Sequence, residues 1–480
     1  MPNRLSSTDV SFLDDERAQT PMHGGTVQIL RAPEEGFDYD RLFALIRERI
    51  AFVPRYRQRL RFVPGHLANP VWVDDTEFDL TYHVRRSALP RPGTEEQLAE
   101  LMARIMSRRL DRDKPLWEVY LVEGLEGDRL AILSKTHLAM VDGVRGIDIA
   151  QVMLDVSPQP RSSRPDTWAP HPAPGTAQLL AGAATDLLRR PTVAIDVLRG
   201  GVDEMRGAAT RVLSAAEGTL MLLRTAARPA PASPLNPEIG KARRFAMVEL
   251  PLADFKRVKD YHETTVNDVV LAVVTGALRE WLLMRGEPVR TSTTLRAMVP
   301  LSVSNEDDAL RSPNHVAPFV VDLPVGEPSP VVRLQRIAYS MRGHREVGNP
   351  VPALDIAGVA GFAPPTLHAL GARTATEAPS RVYNLMVTNV PGPQMPLFAA
   401  GAALVGSYPV LPLSRGQALA IGATSYNAGV FLGLNADRDA IGDLDVLAAE
   451  LVGAADLLSD TVRVSRTRGR GSLRAAGPRR

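Results

Sequence analysis

The chain has 480 residues, about three times the usual domain size, which predicts two to three domains or one large two-lobed body. Apolar residues make up 45% and charged residues 23%, the balance of a soluble globular protein. Residues 463–480 hold seven arginines and no acid, so removing them from the net charge of +2 leaves −5 for the rest. A body without a basic surplus argues against nucleic acid as a partner.

The cysteine content and the hydropathy of the chain exclude further kinds of site and of segment. The absence of cysteine excludes disulfides, thiolate metal sites and a cysteine nucleophile. Residues 1–10 lack the apolar segment of a signal peptide, and five prolines interrupt the longest uncharged stretch, residues 391–414. We therefore expect a cytoplasmic protein. Peripheral contact with the inner face of the membrane or with lipid droplets stays open.

Helix and strand signals alternate over the first third of the chain. One set of apolar residues has the i, i+3, i+4, i+7, i+8 spacing of an amphipathic helix: Leu98, Leu101, Met102, Ile105 and Met106. The apolar run 130–133 precedes an Asp-Gly pair, which is typical of a buried strand followed by a turn. Residues 147–156 favour a second helix.

Proline-rich stretches divide the rest of the chain. Six prolines lie between residues 156 and 175, and a second such stretch spans 228–237. The segment between them is rich in Ala, Leu and Arg and favours helices. We predict an N-terminal lobe (1–175), a helical connector with a Pro-rich linker (176–237), a C-terminal lobe (238–462) and a disordered Arg-rich tail (463–480). This tail would be a solvated chain end or, as the alternative, a segment that binds anionic lipid.

The residues best suited to chemistry lie in Lys135-Thr136-His137-Leu138-Ala139-Met140-Val141-Asp142-Gly143. The pattern is a strand end, a single histidine and an Asp-Gly turn. Asp142 could simply cap the following helix, and Gly143 could supply the turn. A lone histidine near an acid is more often a satisfied polar group than a catalyst.

This stretch and five others resemble the bacterial wax ester synthase/diacylglycerol acyltransferase family. The family carries His-His-x-x-x-Asp-Gly after a strand-end lysine, and residues 135–143 fit that frame. The other blocks are Leu5-Ser6-Ser7-Thr8-Asp9 with Phe12-Leu13 and Pro21-Met22-His23, Asp113-Lys114-Pro115-Leu116-Trp117-Glu118, Thr265-Val266-Asn267-Asp268-Val269-Val270, Arg296-Ala297-Met298-Val299-Pro300 and Thr388-Asn389-Val390-Pro391-Gly392-Pro393. Each is weak alone, but six in the family's order make the resemblance specific.

The resemblance implies both a fold and an activity. The fold is α/β, with two chloramphenicol-acetyltransferase-like lobes, each a mixed β-sheet with flanking helices, and a channel between them. The activity is that of a diacylglycerol O-acyltransferase or wax ester synthase, which moves a long acyl chain from acyl-CoA to diacylglycerol or a long-chain alcohol. Acyl-CoA is then a co-substrate and no cofactor is expected. No His, Asp and Glu cluster has metal-binding spacing.

One position departs from the family's pattern. The second histidine of the pair is taken as the general base, and that position is Leu138 here. His137 stands at the first position. Because adjacent side chains near a strand end point to opposite sides, we expect His137 to face away from a channel that position 138 faces. Leucine accepts no proton, and losing a general base costs about 10²–10⁴ in rate. His23 and His315 are further histidines, without support from their spacing.

The motif's loop has an implied structural residue as well as an implied catalyst. Asp142 would hold the loop by pairing with a basic side chain, for which Arg145 and Arg296 are the candidates. Gly143 would complete the turn. The sequence does not choose between the two arginines.

Two later blocks supply the remaining site residues. Asn267 should begin a helix, where its amide could stabilise an oxyanion or cap the helix locally. Thr265-x-x-Asp268 is a capping box, which explains the aspartate without chemistry. Asn389, Pro391 and Gly392 would contact substrate in the channel, or simply form a strand that leaves into a rigid turn.

Two hypotheses stay open. The first is an active acyltransferase with a weakened or rearranged base, favoured by the retained Asp142, Gly143 and Asn267. The second is a catalytically impaired family member that binds acyl-CoA or lipid, favoured by Leu138. A peptide-forming condensation domain shares the histidine motif but is disfavoured, because the flanking blocks fit the lipid enzymes and no carrier domain follows.

Overall fold

The computed structural model describes residues 3–141, 149–160, 166–189, 229–303, 315–347, 368–369, 372–373 and 382–472. The strands in these ranges are β1 (Asn3–Arg4), β2 (His23–Arg31), β3 (Gln58–Arg61), β4 (Val71–Asp74), β5 (Val84–Ala88), β6 (Trp117–Leu125), β7 (Arg129–His137), β8 (Arg243–Pro251), β9 (Leu295–Val303), β10 (His315–Leu323), β11 (Leu385–Pro391), β12 (Phe398–Ala399), β13 (Ala402–Val410), β14 (Leu419–Tyr426) and β15 (Gly429–Asp437). The α-helices in the same ranges are α1 (Ser7–Asp15), α2 (Tyr39–Arg49), α3 (Leu80–His83), α4 (Glu95–Met106), α5 (Ile149–Val152), α6 (Thr176–Arg189), α7 (Leu252–His262), α8 (Val266–Met284), α9 (Pro330–Val347) and α10 (Leu444–Ser472). Short 3-10 turns span Ile50–Phe52, Pro54–Arg57, Pro64–His66 and Leu138–Met140.

The first lobe is built on a six-stranded mixed sheet in the order β12-β13-β2-β7-β6-β5. Strand β7 lies inside this sheet and is buried almost throughout, as its continuous apolar run predicts. Helix α4 begins in a capping box of Thr94 and Gln97 and buries the apolar face expected from the sequence. The predicted helix at 98–106 and the predicted strand at 130–133 are both confirmed. A small sheet, β1-β4-β3, completes the lobe.

The second lobe is built on another six-stranded mixed sheet, β10-β9-β11-β14-β15-β8. Strand β11 runs parallel to both of its neighbours, whereas the other pairs are antiparallel. Helix α8 packs against α9 and α10 and is buried on nearly every side, which its high apolar content allows. The expected α/β fold of two lobes with mixed sheets is confirmed.

A strand from the C-terminal part of the sequence joins the sheet of the first lobe. Strand β13 belongs in sequence to the second lobe but pairs with β2 along the first sheet. It also crosses the second sheet so closely that a Cβ on Gly433 would lie 1.9 Å from the carbonyl oxygen of Pro409. The predicted C-terminal lobe of 238–462 therefore contributes strands to both sheets and is not a single unit. The pairing also covers an edge of β2 that would otherwise be unpaired. The other predicted boundaries stay predictions.

The C-terminal tail begins later than the sequence suggests. Helix α10 continues to Ser472, so the predicted disorder is wrong for residues 463–472, and residues 473–480 lie outside the described ranges. Arginine is a good helix former, and extending an existing helix avoids the cost of nucleation. No helix in the described part of the chain combines the length and the apolar character needed to cross a membrane.

Candidate active site

Strand β7 carries the histidine motif to the contact between the lobes. His137 ends the strand and has His23 of β2 as its register partner. The next three residues form a 3-10 turn. The Leu138 N–H donates a hydrogen bond of 2.9 Å to the carbonyl oxygen of Met22, so the turn is tied to the segment before β2. The backbone at position 138 is therefore well defined.

The Leu138 side chain points towards the second lobe. It is completely buried in the second lobe's hydrophobic cluster, together with Phe12 and Met22 from the first lobe and Leu411 and Leu413 from the second. A leucine side chain has no atom that could accept a proton. The position at which the resemblance requires a base is thus filled by hydrophobic packing.

His137 is turned away from Leu138, as the alternation of side chains predicts. Its Nδ1 accepts a hydrogen bond of 3.1 Å from the N–H of Ala139 and so caps the 3-10 turn. Its Nε2 lies 3.8 Å from Oε1 of Glu16. Because Nδ1 is an acceptor, we assign the proton of the neutral ring to Nε2. In this arrangement the ring has no free lone pair to offer a substrate.

The electrostatic surroundings of His137 disfavour its charged form. Burial lowers its pKa to about 3, and the nearby positive charges of Arg112 and Arg373 act in the same direction. The nearby carboxylate of Glu16 is paired with Arg112 at 2.8 Å and is almost fully buried. Sequence reasoning missed Glu16 and Arg112, whose positions carry no recognisable spacing to the motif.

The strand-end Lys135 has a structural task. Its buried Nζ donates to the carbonyl oxygens of Ile105, at 3.0 Å, and Arg108, and lies 3.8 Å from Glu118. Burial lowers its pKa to about 8, although the Glu118 carboxylate opposes the shift. A cation that binds the last carbonyls of α4 stabilises the helix C-terminus. Lys135 therefore locks α4 onto β7.

A residue that sequence reasoning missed, Arg373, holds the loop of the motif. It donates to the carbonyl oxygens of Leu138, at 3.0 Å, and Val141, while its Nη2 lies 2.6 Å from Oδ1 of Asp9. The contact with Asp9 is an ion pair, because the two groups are close but are not aligned for a hydrogen bond. The guanidinium also stacks over the ring of Phe12 at 5.1 Å.

Asp142, Gly143 and Arg145 lie outside the described residues. Arg296, the other arginine proposed to pair with Asp142, forms an ion pair of 3.0 Å with Asp322. The role of Asp142 stays a prediction.

The structure brings together two predicted site residues that are 122 positions apart. Nδ2 of Asn389, near the end of β11, lies 3.3 Å from Oδ1 of Asn267. Asn267 occupies the first turn of α8, where the predicted capping box of Thr265 and Asp268 is confirmed. Because Asp268 already serves the helix end, the Asn267 amide is not needed as the cap. Both asparagines are half-buried.

The Pro391 and Gly392 pair ends β11 as the sequence predicts. Pro391 is the last residue paired with β14, and the Gly392 N–H donates to Oγ of Ser425 at 3.3 Å. These contacts account for the strand end and the turn. Substrate contact at Asn389, Pro391 and Gly392 stays a prediction.

His23 and His368 are buried as well. Nε2 of His23 bonds the carbonyl oxygen of Met106 at 2.9 Å, and burial lowers the pKa of His23 well below its usual value. His368, which sequence reasoning did not select, has Nδ1 2.6 Å from Oγ1 of Thr388, and burial lowers its pKa to about 3. The side chain of His315 is outside the described set. Among described residues, no cluster of His, Asp and Glu could hold a metal ion.

Comparison with known proteins places this motif in a family. Residues 5–270 match the wax ester synthase/diacylglycerol acyltransferase catalytic domain. Residues 313–459 match the WS/DGAT C-terminal domain. The chain belongs to the wax ester synthase/diacylglycerol acyltransferase family. The predicted family is thus confirmed, and the leucine at 138 lies inside the matched catalytic domain of this WS/DGAT protein.

One relative matches this WS/DGAT chain over nearly its full length, and another matches about half of it. The "Probable diacyglycerol O-acyltransferase tgs1" of Mycobacterium tuberculosis is 33% identical over 98% of this chain and 99% of that protein. The "Probable diacyglycerol O-acyltransferase tgs3" of the same species is 42% identical over 54% of this chain and 96% of that protein. The similarity covers both lobes in the first case.

A solved structure agrees with the fold. The wax ester synthase/diacylglycerol acyltransferase from Marinobacter aquaeolei VT8 superposes with a TM-score of 0.66 at 28% identity, covering 96% of this chain and 100% of that one. A starter condensation domain of rhizomide synthetase has a TM-score of 0.55 at only 13% identity, covering 96% and 94%. The latter likeness concerns the fold alone.

Proposed function

We propose that this WS/DGAT protein is an O-acyltransferase of neutral-lipid synthesis that uses acyl-CoA to acylate diacylglycerol or a long-chain alcohol. The observation that carries the proposal is the family match over both lobes, including the blocks that contain Asn267 and Asn389. The named relatives include two probable diacylglycerol O-acyltransferases. We infer a triacylglycerol or a wax ester as the product.

The reaction needs no group beyond the two substrates. The acceptor hydroxyl attacks the thioester carbonyl, a C–O bond forms, the C–S bond breaks, and the hydroxyl proton ends on the thiol of coenzyme A. The tetrahedral oxyanion requires a fixed donor. Since Oδ1 of Asn267 accepts from Asn389, its Nδ2 hydrogens are directed elsewhere and could serve that oxyanion at the positive end of α8.

The leucine at 138 sets the expected rate. Without a base, the hydroxyl proton must leave to water or directly to the leaving thiolate. The missing base costs about 10²–10⁴ in rate. Binding both substrates in the correct geometry lowers the barrier independently of the base, so slow transfer from an activated thioester is expected.

A second candidate function is binding of acyl-CoA or lipid without turnover. Two observations favour it: Leu138 is buried in the second lobe's hydrophobic cluster, and the ring of His137 is committed to capping its own turn. Such a protein would keep the substrate sites of the family and lack the proton transfer.

The test is transfer of radiolabelled palmitate from palmitoyl-CoA to diacylglycerol and to hexadecanol. Wild type is compared with Leu138→His, and Leu138→Met serves as a control that keeps the volume but supplies no base. We expect slow transfer by wild type, a gain of about 10²-fold or more in Leu138→His, and no gain in Leu138→Met.

The outcomes separate the two candidates. A silent wild type with an active Leu138→His variant would make the natural protein a binding relative with an intact site. If His137→Ala abolishes an active wild type while the variant stays folded, His137 is the base after all and must rotate during the reaction. Silence of all variants, with folding intact, would remove the acyltransferase proposal.

A further inference from the structure

A cavity of about 800 Å³ opens in the first lobe on the His137 side of the motif. Its walls come from the C-terminal half of α4, the loop of residues 107–112, and strands β5 and β6. Glu16 is part of the lining, and its carboxylate lies 3.8 Å from Nε2 of His137. Leu138 points the other way, towards the second lobe, so the cavity is distinct from the position of the expected base.

The cavity is lined by more positive than negative groups. Six arginines line it: Arg85, Arg86, Arg104, Arg108, Arg109 and Arg112. The lining acids are Glu16, Asp111 and Glu118. Glu16 is neutralised by Arg112 at 2.8 Å and Glu118 by Arg85 at 3.0 Å, while Arg86 pairs at 2.5 Å with Glu123 outside the lining. These pairs leave three arginines against one acid, Asp111, which is a surplus of two positive charges.

The three arginines outside these pairs are Arg104, Arg108 and Arg109. All three are exposed, and none has a carboxylate within ion-pair distance among the described residues. Arg104 lies in the last turn of α4, and Arg108 and Arg109 follow the end of that helix. The negative end of the helix favours basic residues there by about 0.3–1 kcal/mol. That preference does not require three guanidinium groups to converge on one cavity.

The rim of the cavity also offers an aromatic surface. Tyr82 lies in the lining, with the guanidinium of Arg85 stacked 4.8 Å from its ring centroid. Tyr120 is a second lining aromatic, and its hydroxyl donates to Glu118 at 2.8 Å. Planar guanidinium and phenol groups of this kind stack on flat heterocycles.

We propose that this cavity binds a multiply phosphorylated anion of nucleotide size. Guanidinium forks match phosphate oxygens in a bidentate way, and three unpaired forks suit more than one phosphate. The volume falls within the range of about 300–1,000 Å³ that small-molecule sites occupy. Tyr82 and Arg85 would hold the base of the nucleotide, and Arg104, Arg108 and Arg109 the phosphates.

The test measures binding to the full-length protein by isothermal titration calorimetry with adenosine 3′,5′-bisphosphate and with coenzyme A. Only this choice of probes rests on the proposed function, because its acyl donor, acyl-CoA, carries the same phosphorylated nucleotide. The triple variant Arg104→Ala/Arg108→Ala/Arg109→Ala should raise the Kd at least about tenfold, since a charge-assisted hydrogen bond contributes that much or more. Arg342→Ala, at an exposed arginine of α9 outside the cavity, is the matched control and should change Kd less than twofold.

Competition by other phosphate-containing ligands shows which class of phosphate compound the cavity binds. We expect inorganic phosphate to compete only at far higher concentration, and vesicles of equal parts phosphatidylglycerol and phosphatidylcholine not to compete. Absent binding of the bisphosphate, equal losses in the triple variant and in Arg342→Ala, or capture by the vesicles alone would each overturn the inference. Because the readout is binding, such a failure leaves palmitate transfer untouched, and a failure of transfer leaves this binding measurable.

Discussion

The end of β7 and the start of α8 solve the same local problem with different side chains. At α8, Thr265 and Asp268 satisfy the free backbone groups of the helix end at 3.2 and 3.0 Å, and their neighbour Asn267 contacts Asn389. At β7, the capping is done by His137 itself, through Nδ1. Its neighbour at 138 is a leucine.

This difference shows how capping determines which polar side chain is available for chemistry. A residue that satisfies its own backbone cannot also bind a substrate without breaking that contact. At α8 the two tasks are divided between residues, so the asparagine keeps donors to spare. At β7 the histidine of the motif is already used as the cap. The motif therefore keeps its shape and loses its base.

The largest expected effect is on the rate of acyl transfer. In Leu138→His, or in wild type if it is active, Asn267→Ala should lower kcat by about 10²–10³ with little change in KM, because the oxyanion loses a donor. His137→Gln, which can still accept a backbone N–H, should change kcat by less than about threefold. The reverse ranking of the two variants in a palmitate-transfer assay would contradict the assignment.

A second test concerns the crossing strand that holds both regions in one body. Gly433→Ala places a Cβ 1.9 Å from the Pro409 carbonyl oxygen, so β13 and β15 must move apart. We expect the free energy of unfolding in urea to fall by about 3 kcal/mol. The control is Gly343→Ala in α9, where a Cβ meets nothing within 4 Å and should stabilise by about 0.5–1 kcal/mol. Equal effects of the two variants would show that the crossing is not tightly packed.

A third test separates shape from chemistry at the motif. Arg373→Met removes the donors to the carbonyl oxygens of Leu138 and Val141 and leaves Asp9 without its cation. We expect a loss of about 2 kcal/mol in the free energy of unfolding. Arg342→Met at an exposed site should change it by less than about 0.5 kcal/mol. If Arg373→Met is as stable as this control, the loop is held by other contacts.

The smallest effect is a pH dependence. An unfolded histidine titrates near pH 6.5, whereas burial keeps the pKa of His137 at about 3, so between these values only the unfolded chain takes up the proton. The contribution is complete above pH 6.5 and is lost as the pH falls towards 3. His137→Gln should therefore reduce the slope of stability against pH in this window by up to about 1.4 kcal/mol per unit. An unchanged slope in urea titrations would mean that the ring is charged normally in the fold.

Local features of the fold could be predicted because short spacings carry them. The helix α4, the buried strand β7, the capping box of α8 and the opposed directions of His137 and Leu138 all follow from neighbours within a few residues. The family followed from six short blocks in order. The tail was mispredicted because α10 extends beyond its apolar pattern, where only helix propensity continues it.

Contacts between distant residues could not be predicted in this way. Arg373 reaches Leu138 across 235 positions, and Arg112 reaches Glu16 across 96, with no spacing rule to connect them. The six arginines of the cavity are unremarkable in sequence, because most stand in ordinary surface positions of a helix, a loop and a strand. Their common destination depends on how α4 lies against β5 and β6.

Residue identities and short motifs were enough to predict the family, the two-lobed fold and the absence of a base at position 138, since leucine cannot accept a proton. The contacts of the remaining polar groups became visible only in the folded chain. It showed His137 as a cap, joined Asn267 to Asn389 and completed the first sheet with β13. Side-chain identity and local hydrogen bonds depend on neighbours in sequence, so short patterns can predict them. Burial, charge pairing and strand exchange depend on segments that meet only after folding.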